Sequence, residues 1–185
     1  MSSCFGLTGN LTLNCTAATK AAGVKPTIWV LPDVDDLTGT TGWTPATQGV
    51  ALATITLAAS KFLYTLEGRV NRNSASDEAS VGDTQNSLFN QTVIFAAFIN
   101  SQADRYKIDQ LMRLERALIF IQDEDGVIQM FGYNRGLKCT VKTGGTGTLA
   151  TDDTAHILTF SGIQKYGPIY CEFETGAAYL NSLTD

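Results

Sequence analysis

Histidine is almost missing from this chain: His156 is the only one in 185 residues. That removes the usual general base, and the commonest neutral metal ligand, from every position but one. A serine or cysteine nucleophile needs a positioned base, and His156 opens a strand-like run after a Gly-Thr-rich loop, where a strand-edge role is expected. The four cysteines, Cys4, Cys15, Cys139 and Cys171, form no CxxC pair, so neither a zinc site nor any other metal is expected. They read as buried or unpaired thiols; whether Cys4 and Cys15 pair is left open. No run of 18 apolar residues exists, and MSSCFGLTGNLTLNC lacks the basic start and apolar core of a signal peptide. A soluble chain with no membrane partner is expected. Cations are also few, with 13 Lys and Arg against 18 Asp and Glu and a net charge of −5, which argues against a surface that grips nucleic-acid phosphates.

What is present is a β-forming chain. With 44% hydrophobic residues it can bury a real core, and its patterning predicts one domain over 27–175, an arm over 1–26 and a loose tail over 176–185. Strands are predicted at Thr27–Leu31, Val50–Ala59, Lys61–Val70, Leu88–Ile99, Ala117–Ile121, Val127–Tyr133, Leu137–Thr143, His156–Ile163 and Ile169–Phe173. In the third of these, Phe62, Tyr64, Leu66 and Val70 share one face and Thr65, Glu67 and Arg69 the other. In Leu137–Thr143, Leu137, Cys139 and Val141 fall on one face. The period changes once, at Ser101–Glu115: Ser101 with Asp104 fits a capping box, and Ile108, Leu111 and Met112 form the stripe of a helix that covers a sheet. Between the third and fourth strands lies Asn71–Ser87, in which only Ala75, Ala79 and Val81 are apolar; it reads as a long polar loop.

Motifs that would carry chemistry are weak. QDEDG at 122–126 has three acids but not the ligand alternation of a calcium loop, and TGGTGT at 143–148 lacks the Lys-Ser/Thr ending of a phosphate cradle. The carboxylate pairs Asp35–Asp36 and Asp152–Asp153 sit in turn-rich segments where solvated acids are normal. No catalytic residue, no cofactor and no enzyme activity are expected.

The segments KFLYTLEGRV, LFNQTVIFAAF, LMRLERALIFI, DEDG, VIQMFGYNRGL and TDDTAHILTFSGIQKYGPIY occur in an order that resembles the tail tube (major tail) proteins of long-tailed bacteriophages, over about residues 55–173. That fold is shared by the tube proteins of contractile injection machines. The resemblance implies a mainly-β sandwich or barrel with one flanking helix and a long-looped hairpin. It also implies a structural virion protein, assembled in the host cytoplasm, that forms stacked hexameric rings. Strands of all subunits would line an inner barrel through which DNA passes without specific binding. The implied partners are other copies of the chain and other tail proteins. By position, Lys61–Val70 and Leu88–Phe98 become lumen strands with Thr65, Glu67 and Arg69 as the candidate lumen face. The loop Asn71–Ser87 becomes the inter-ring contact, with Asn71, Arg72, Asn73, Asp77, Glu78 and Asp83 as its polar residues. Ile108, Leu111 and Met112 become the core face of the flanking helix. Two alternatives remain: a terminator, neck or tail-tip ring of the same fold, or a carbohydrate-binding β-sandwich, for which Trp43 is the one tryptophan placed in a loop.

Overall fold

The computed structural model describes residues 23–68, 71–81, 87–97, 101–144 and 156–185. Among the described residues, eleven strands, two helices and a single 3-10 turn at Val34–Asp36 form a mainly-β domain with a flanking helix, as the sequence predicts. In chain order the strands are β1 (Val24–Leu31), β2 (Leu37–Thr41), β3 (Thr54–Leu57), β4 (Tyr64–Glu67), β5 (Ser74–Val81), β6 (Ser87–Ala97), β7 (Leu118–Asp123), β8 (Ile128–Phe131), β9 (Lys138–Gly144), β10 (His156–Gln164) and β11 (Ile169–Cys171). Helix α1 spans Gln102–Leu111 and α2 spans Ala177–Asn181.

These strands make a five-stranded sheet ordered β11-β8-β7-β1-β4, a four-stranded sheet ordered β5-β6-β10-β9, and a β2-β3 ribbon. The five-stranded sheet is the middle layer. Its strands β1 and β7 read WVL and LIFI, runs without polar alternation, because both of their faces are covered. Ile28, Val30, Ile119, Ile121 and Phe131 meet Val93, Phe95, Leu158 and Phe160 of the four-stranded sheet in one core. Trp29, Leu31, Leu118, Phe120 and Met130 point the other way, into a second core closed by Leu52, Ile55, Phe173 and Leu180. Each fully buried large side chain in these cores contributes about 1.5–3 kcal/mol relative to exposure.

Helix α1 forms as expected. The Ser101 side chain accepts from the Asp104 N–H, and Ile108 is buried with Leu111 and Met112 packed beside it on the first core. The β7-β8 hairpin also forms, its turn closed at Gly126, whose φ of 90° suits glycine, and by the Asp123 carboxylate accepting from the Val127 N–H at 2.7 Å.

Several expectations fail for identifiable reasons. Asn71–Ser87 is not a loop throughout: Ser74–Val81 is strand β5, laddered residue for residue onto Ser87–Ile94, while 82–86 lie outside the described residues. Its side chains bury little because it is an edge strand with a solvated face, and the eleven-residue β6 supplies the hydrogen bonds that its composition does not advertise. The hairpin partner of β6 is therefore β5, and Lys61–Val70 shrinks to β4, which belongs to the other sheet and pairs with β1. There Phe62 and Tyr64 are exposed and Leu63 is buried, because the Leu63 N–H donates to the Leu183 carbonyl and turns that side chain into the second core. In β9 the register slips between Thr159 and Phe160 of β10, so Cys139 stays inside while Val141 emerges on the other face.

The predicted tail over 176–185 is a packed element instead. Leu180 is fully buried, the Tyr179 hydroxyl bonds both the N–H and the carbonyl of Ile55, and the Asn181 side chain accepts from Trp29 Nε1 at 2.8 Å. The predicted loop after Pro32 contains β2, and the predicted arm ends in the first residues of β1, with residues 1–22 outside the described ones. Leu180→Ala is expected to lower unfolding free energy by about 2–5 kcal/mol, and Tyr179→Phe by about 1 kcal/mol, in urea titrations. A loose tail would leave both variants at the wild-type midpoint.

Candidate assembly surface

The two sheets differ in what they leave open. The five-stranded sheet is covered on both faces along β1 and β7, and isolated single-residue bridges flank its edge strands. Beside β11, Leu52 bridges to Cys171, with the Leu52 N–H donating to the Tyr170 carbonyl and the Glu172 N–H to the Leu52 carbonyl, both at 2.8 Å; beside β4, Leu63 bridges to Thr184. The four-stranded sheet has one face on the first core, and among the described residues no strand is laddered along the outer side of β5 or β9, whose starts are flanked by isolated bridges, Val24 to Asn73 and Ala117 to Leu137. Such edges present unpaired backbone donors and acceptors, which proteins cover or use.

Its outer face follows from the register. Ser74 lies across from Ile94, which lies across from Thr159; Ser76 lies across from Thr92, which lies across from Ser161. Residues opposite one another share a face, so this surface carries the hydroxyls of Ser74, Ser76, Thr92, Thr159 and Ser161 around Ile94. Thr140 Oγ1 and Ser161 Oγ are 3.1 Å apart on it. Two charged side chains stand on this face, Glu78 across from Asn90 and Lys138 across from Ser161, together with the apolar Val141, Ile157 and Ile163.

Three buried amides hold this sheet in place. Asn73 Nδ2 donates to the Lys25 and Pro26 carbonyls at 3.1 and 3.2 Å while its Oδ1 accepts from the Ala96 N–H at 3.0 Å, tying β1 to β6. Gln91 donates to the Tyr166 carbonyl and accepts from the Gly132 N–H; Gln164 accepts from the N–H groups of Asn134 and Arg135 and donates to the Gly136 carbonyl at 2.7 Å. With their polar atoms paired, these amides cost little by being inside and fix how the four-stranded sheet sits against the rest.

The residues named from sequence are dispersed by this arrangement. Asn71 and Arg72 are exposed ahead of β5, Asn73 is the buried latch, Asp77 and Glu78 are exposed on the β5 edge, and Asp83 lies outside the described residues. Thr65 and Glu67 are exposed on β4, the edge strand of the five-stranded sheet, and Arg69 lies outside the described residues. They lie in a different sheet from β6, so the structure does not bring the candidate lumen residues onto one face with it. Sequence reasoning missed Ser74, Ser76, Thr92, Thr159 and Ser161, whose signal was small hydroxyl residues at every second position.

The remaining polar groups are engaged in holding the chain together. The Arg116 guanidinium forks onto Asp35, holding that carboxyl below its ordinary range, and lies 3.7 Å from Asp33. Lys61 meets Asp36 at 3.1 Å, and Lys142 meets Asp109 at 2.7 Å, tying β9 to α1. Burial pushes the Cys139 and Cys171 thiols up, and both are free. Cys4 and Cys15 lie outside the described residues. His156 is half-buried at the start of β10, its ring packed on the Gly144 backbone and its Nδ1 without a partner among the described residues. Among the described residues no group of three His, Cys, Asp or Glu is placed to hold a metal ion, and no helix is long and apolar enough to cross a membrane.

Comparison with protein-family models, with curated proteins and with solved structures returns no match for this chain. Function therefore rests on the geometry and on the ordered resemblance of the sequence. The latch role separates Asn73 from its neighbours: Asn73→Ala removes three hydrogen bonds, to the Lys25 and Pro26 carbonyls and the Ala96 N–H, of which the Pro26 carbonyl keeps the Gly68 N–H, and is expected to cost about 1–3 kcal/mol in chemical denaturation. Asp77→Ala and Glu78→Ala are each expected to stay within about 0.5 kcal/mol of wild type.

Proposed function

We propose that this chain is a tail tube subunit of a long-tailed bacteriophage: a non-enzymatic virion protein whose copies join edge to edge into rings that stack into a conduit for DNA. The observation that carries the reading is the asymmetry between the two sheets. One buries both faces of its central strands β1 and β7 within the chain; the other has a hydroxyl-rich outer face, and beyond the isolated bridges at Asn73 and Leu137 its edge strands take no partner among the described residues. A sheet of that kind is suited to pairing with copies of itself.

Its lining chemistry supports passage of DNA. Hydroxyls on the outer face present no array of fixed positive charge, so a phosphate backbone meets little that would hold it by releasing counterions. The net charge of −5 acts in the same direction. The inter-ring role assigned from sequence to Asn71–Ser87 as a loop does not carry over in that form, since Ser74–Val81 is the edge strand β5. The carbohydrate-binding alternative loses its anchor: Trp43 is buried, with Tyr133 and Tyr166 packed edge-on at centroid distances of 4.6 and 5.5 Å.

Negative-stain microscopy of concentrated protein is expected to reveal rings or tubes with an axial hole. A chain that remains monomeric across salt and concentration would remove the reading.

A further inference from the structure

Resting on the reading of stacked rings above, we propose that successive rings meet where the β7-β8 turn of one copy enters a cleft at the opposite end of the next, with Glu124 against Lys165. The cleft has a volume of about 510 Å³, and Asp35, Pro45, Tyr133, Asn134, Lys165 and Tyr166 are among the residues that line it. That volume is typical of sites that enclose a guest.

Turn and cleft stand at the two ends of the same strands. Asp123 lies across from Val24 and Leu118 across from Leu31, so the turn is at the start of β1, while Val34 and Tyr133 of the cleft follow the ends of β1 and β8. The eight residues of β1 set these ends roughly 20–25 Å apart. The other sheet runs in the same sense: β6 passes from Gln91, which accepts from the Gly132 N–H near the cleft, to Ala96, latched through Asn73 to Lys25 and Pro26 near the turn. Copies that join sideways by strand edges leave these ends facing along the stack, and a copy shifted along its strands brings turn to cleft. A head-to-tail contact of this kind does not close on itself, as an open tube requires.

Both parts are preformed and their charges are complementary. In the turn, the Asp123 carboxylate accepts from the Val127 N–H and the Gln122 side chain donates to the Gly126 carbonyl at 3.0 Å, while Glu124 is exposed and takes no ion-pair partner among the described residues. At the cleft, Tyr133 and Tyr166 pack on Trp43, and the amides of Gln164 and Gln91 hold the Asn134 N–H and the Tyr166 carbonyl. Asp35 and Lys165 are the charged residues of the lining. Arg116 takes up the charge of Asp35, whereas Lys165 is exposed, its ammonium 5.5 Å from the Tyr166 ring centroid, with no ion-pair partner among the described residues. Each side therefore presents one uncompensated charge of opposite sign on a fixed support, which limits the ordering cost of docking. Setting turn against turn would oppose acid to acid, so the charges favour head-to-tail stacking over two-fold pairing of rings.

A charge-swap cycle tests this, with rings and tubes separated by sedimentation velocity at low salt and folding checked by thermal melts. E124K and K165E, both on exposed side chains, are each expected to leave rings intact and to raise the concentration needed for stacking roughly tenfold, and the double variant E124K/K165E to restore it to near wild type. Single variants that stack like wild type, or a double variant no better than the singles, would overturn this contact and leave the ring reading standing. A wild-type chain that stays monomeric would overturn the ring reading itself, and this contact with it.

Discussion

The burial of the five-stranded sheet on both faces is the constraint from which the rest of the architecture follows. Because Ile28 and Val30 face one way and Trp29 and Leu31 the other, β1 must lie between two cores, and a layer is needed on each side. One side is closed within the chain by the β2-β3 ribbon, the segment around Leu52 and helix α2. The other is closed by the four-stranded sheet, which gives its more apolar face to that task and leaves outward a face of hydroxyls interspersed with Val141, Ile157 and Ile163. The molecule's outward chemistry is thereby concentrated on one sheet.

That sheet is held as a rigid plate. The amides of Asn73, Gln91 and Gln164 fasten it to β1 and to the loops after β8 and β10, while Lys142 and Asp109 pin its β9 edge to α1. Gly136 is needed in the connection to β9, since its φ is 74° and a Cβ there would lie 2.4 Å from the Arg116 backbone. A plate positioned this way presents its edges at fixed angles, which limits the ordering cost when copies meet.

The elements legible in the sequence were those whose signal is local. The runs WVL and LIFI announced strands, Ser101 with Asp104 announced the start of α1, and Gly126 announced the hairpin turn. What was hidden depended on partners distant in sequence. β5, with Ser, Ala, Asp and Glu, has little strand propensity of its own and is a strand because β6 pairs with it. Asn73 looked like one more polar loop residue, and only the meeting of β1 with β6 gives it three partners. The short tail GAAYLNSLTD carries too few residues for a periodic signal, yet Trp29 and Ile55 lock it. The bulge in β9 inverted a face that parity alone assigned to the core.

The central claim, that the edge strands of the four-stranded sheet are where copies join, is tested most directly by backbone hydrogen exchange compared between assembled and dissociated protein. The account predicts that protection is gained at Ser74–Val81 and Lys138–Gly144, while Tyr64–Glu67 and Ile169–Cys171 exchange alike in both states. Protection gained at β4 or β11 with β5 and β9 unchanged would contradict it.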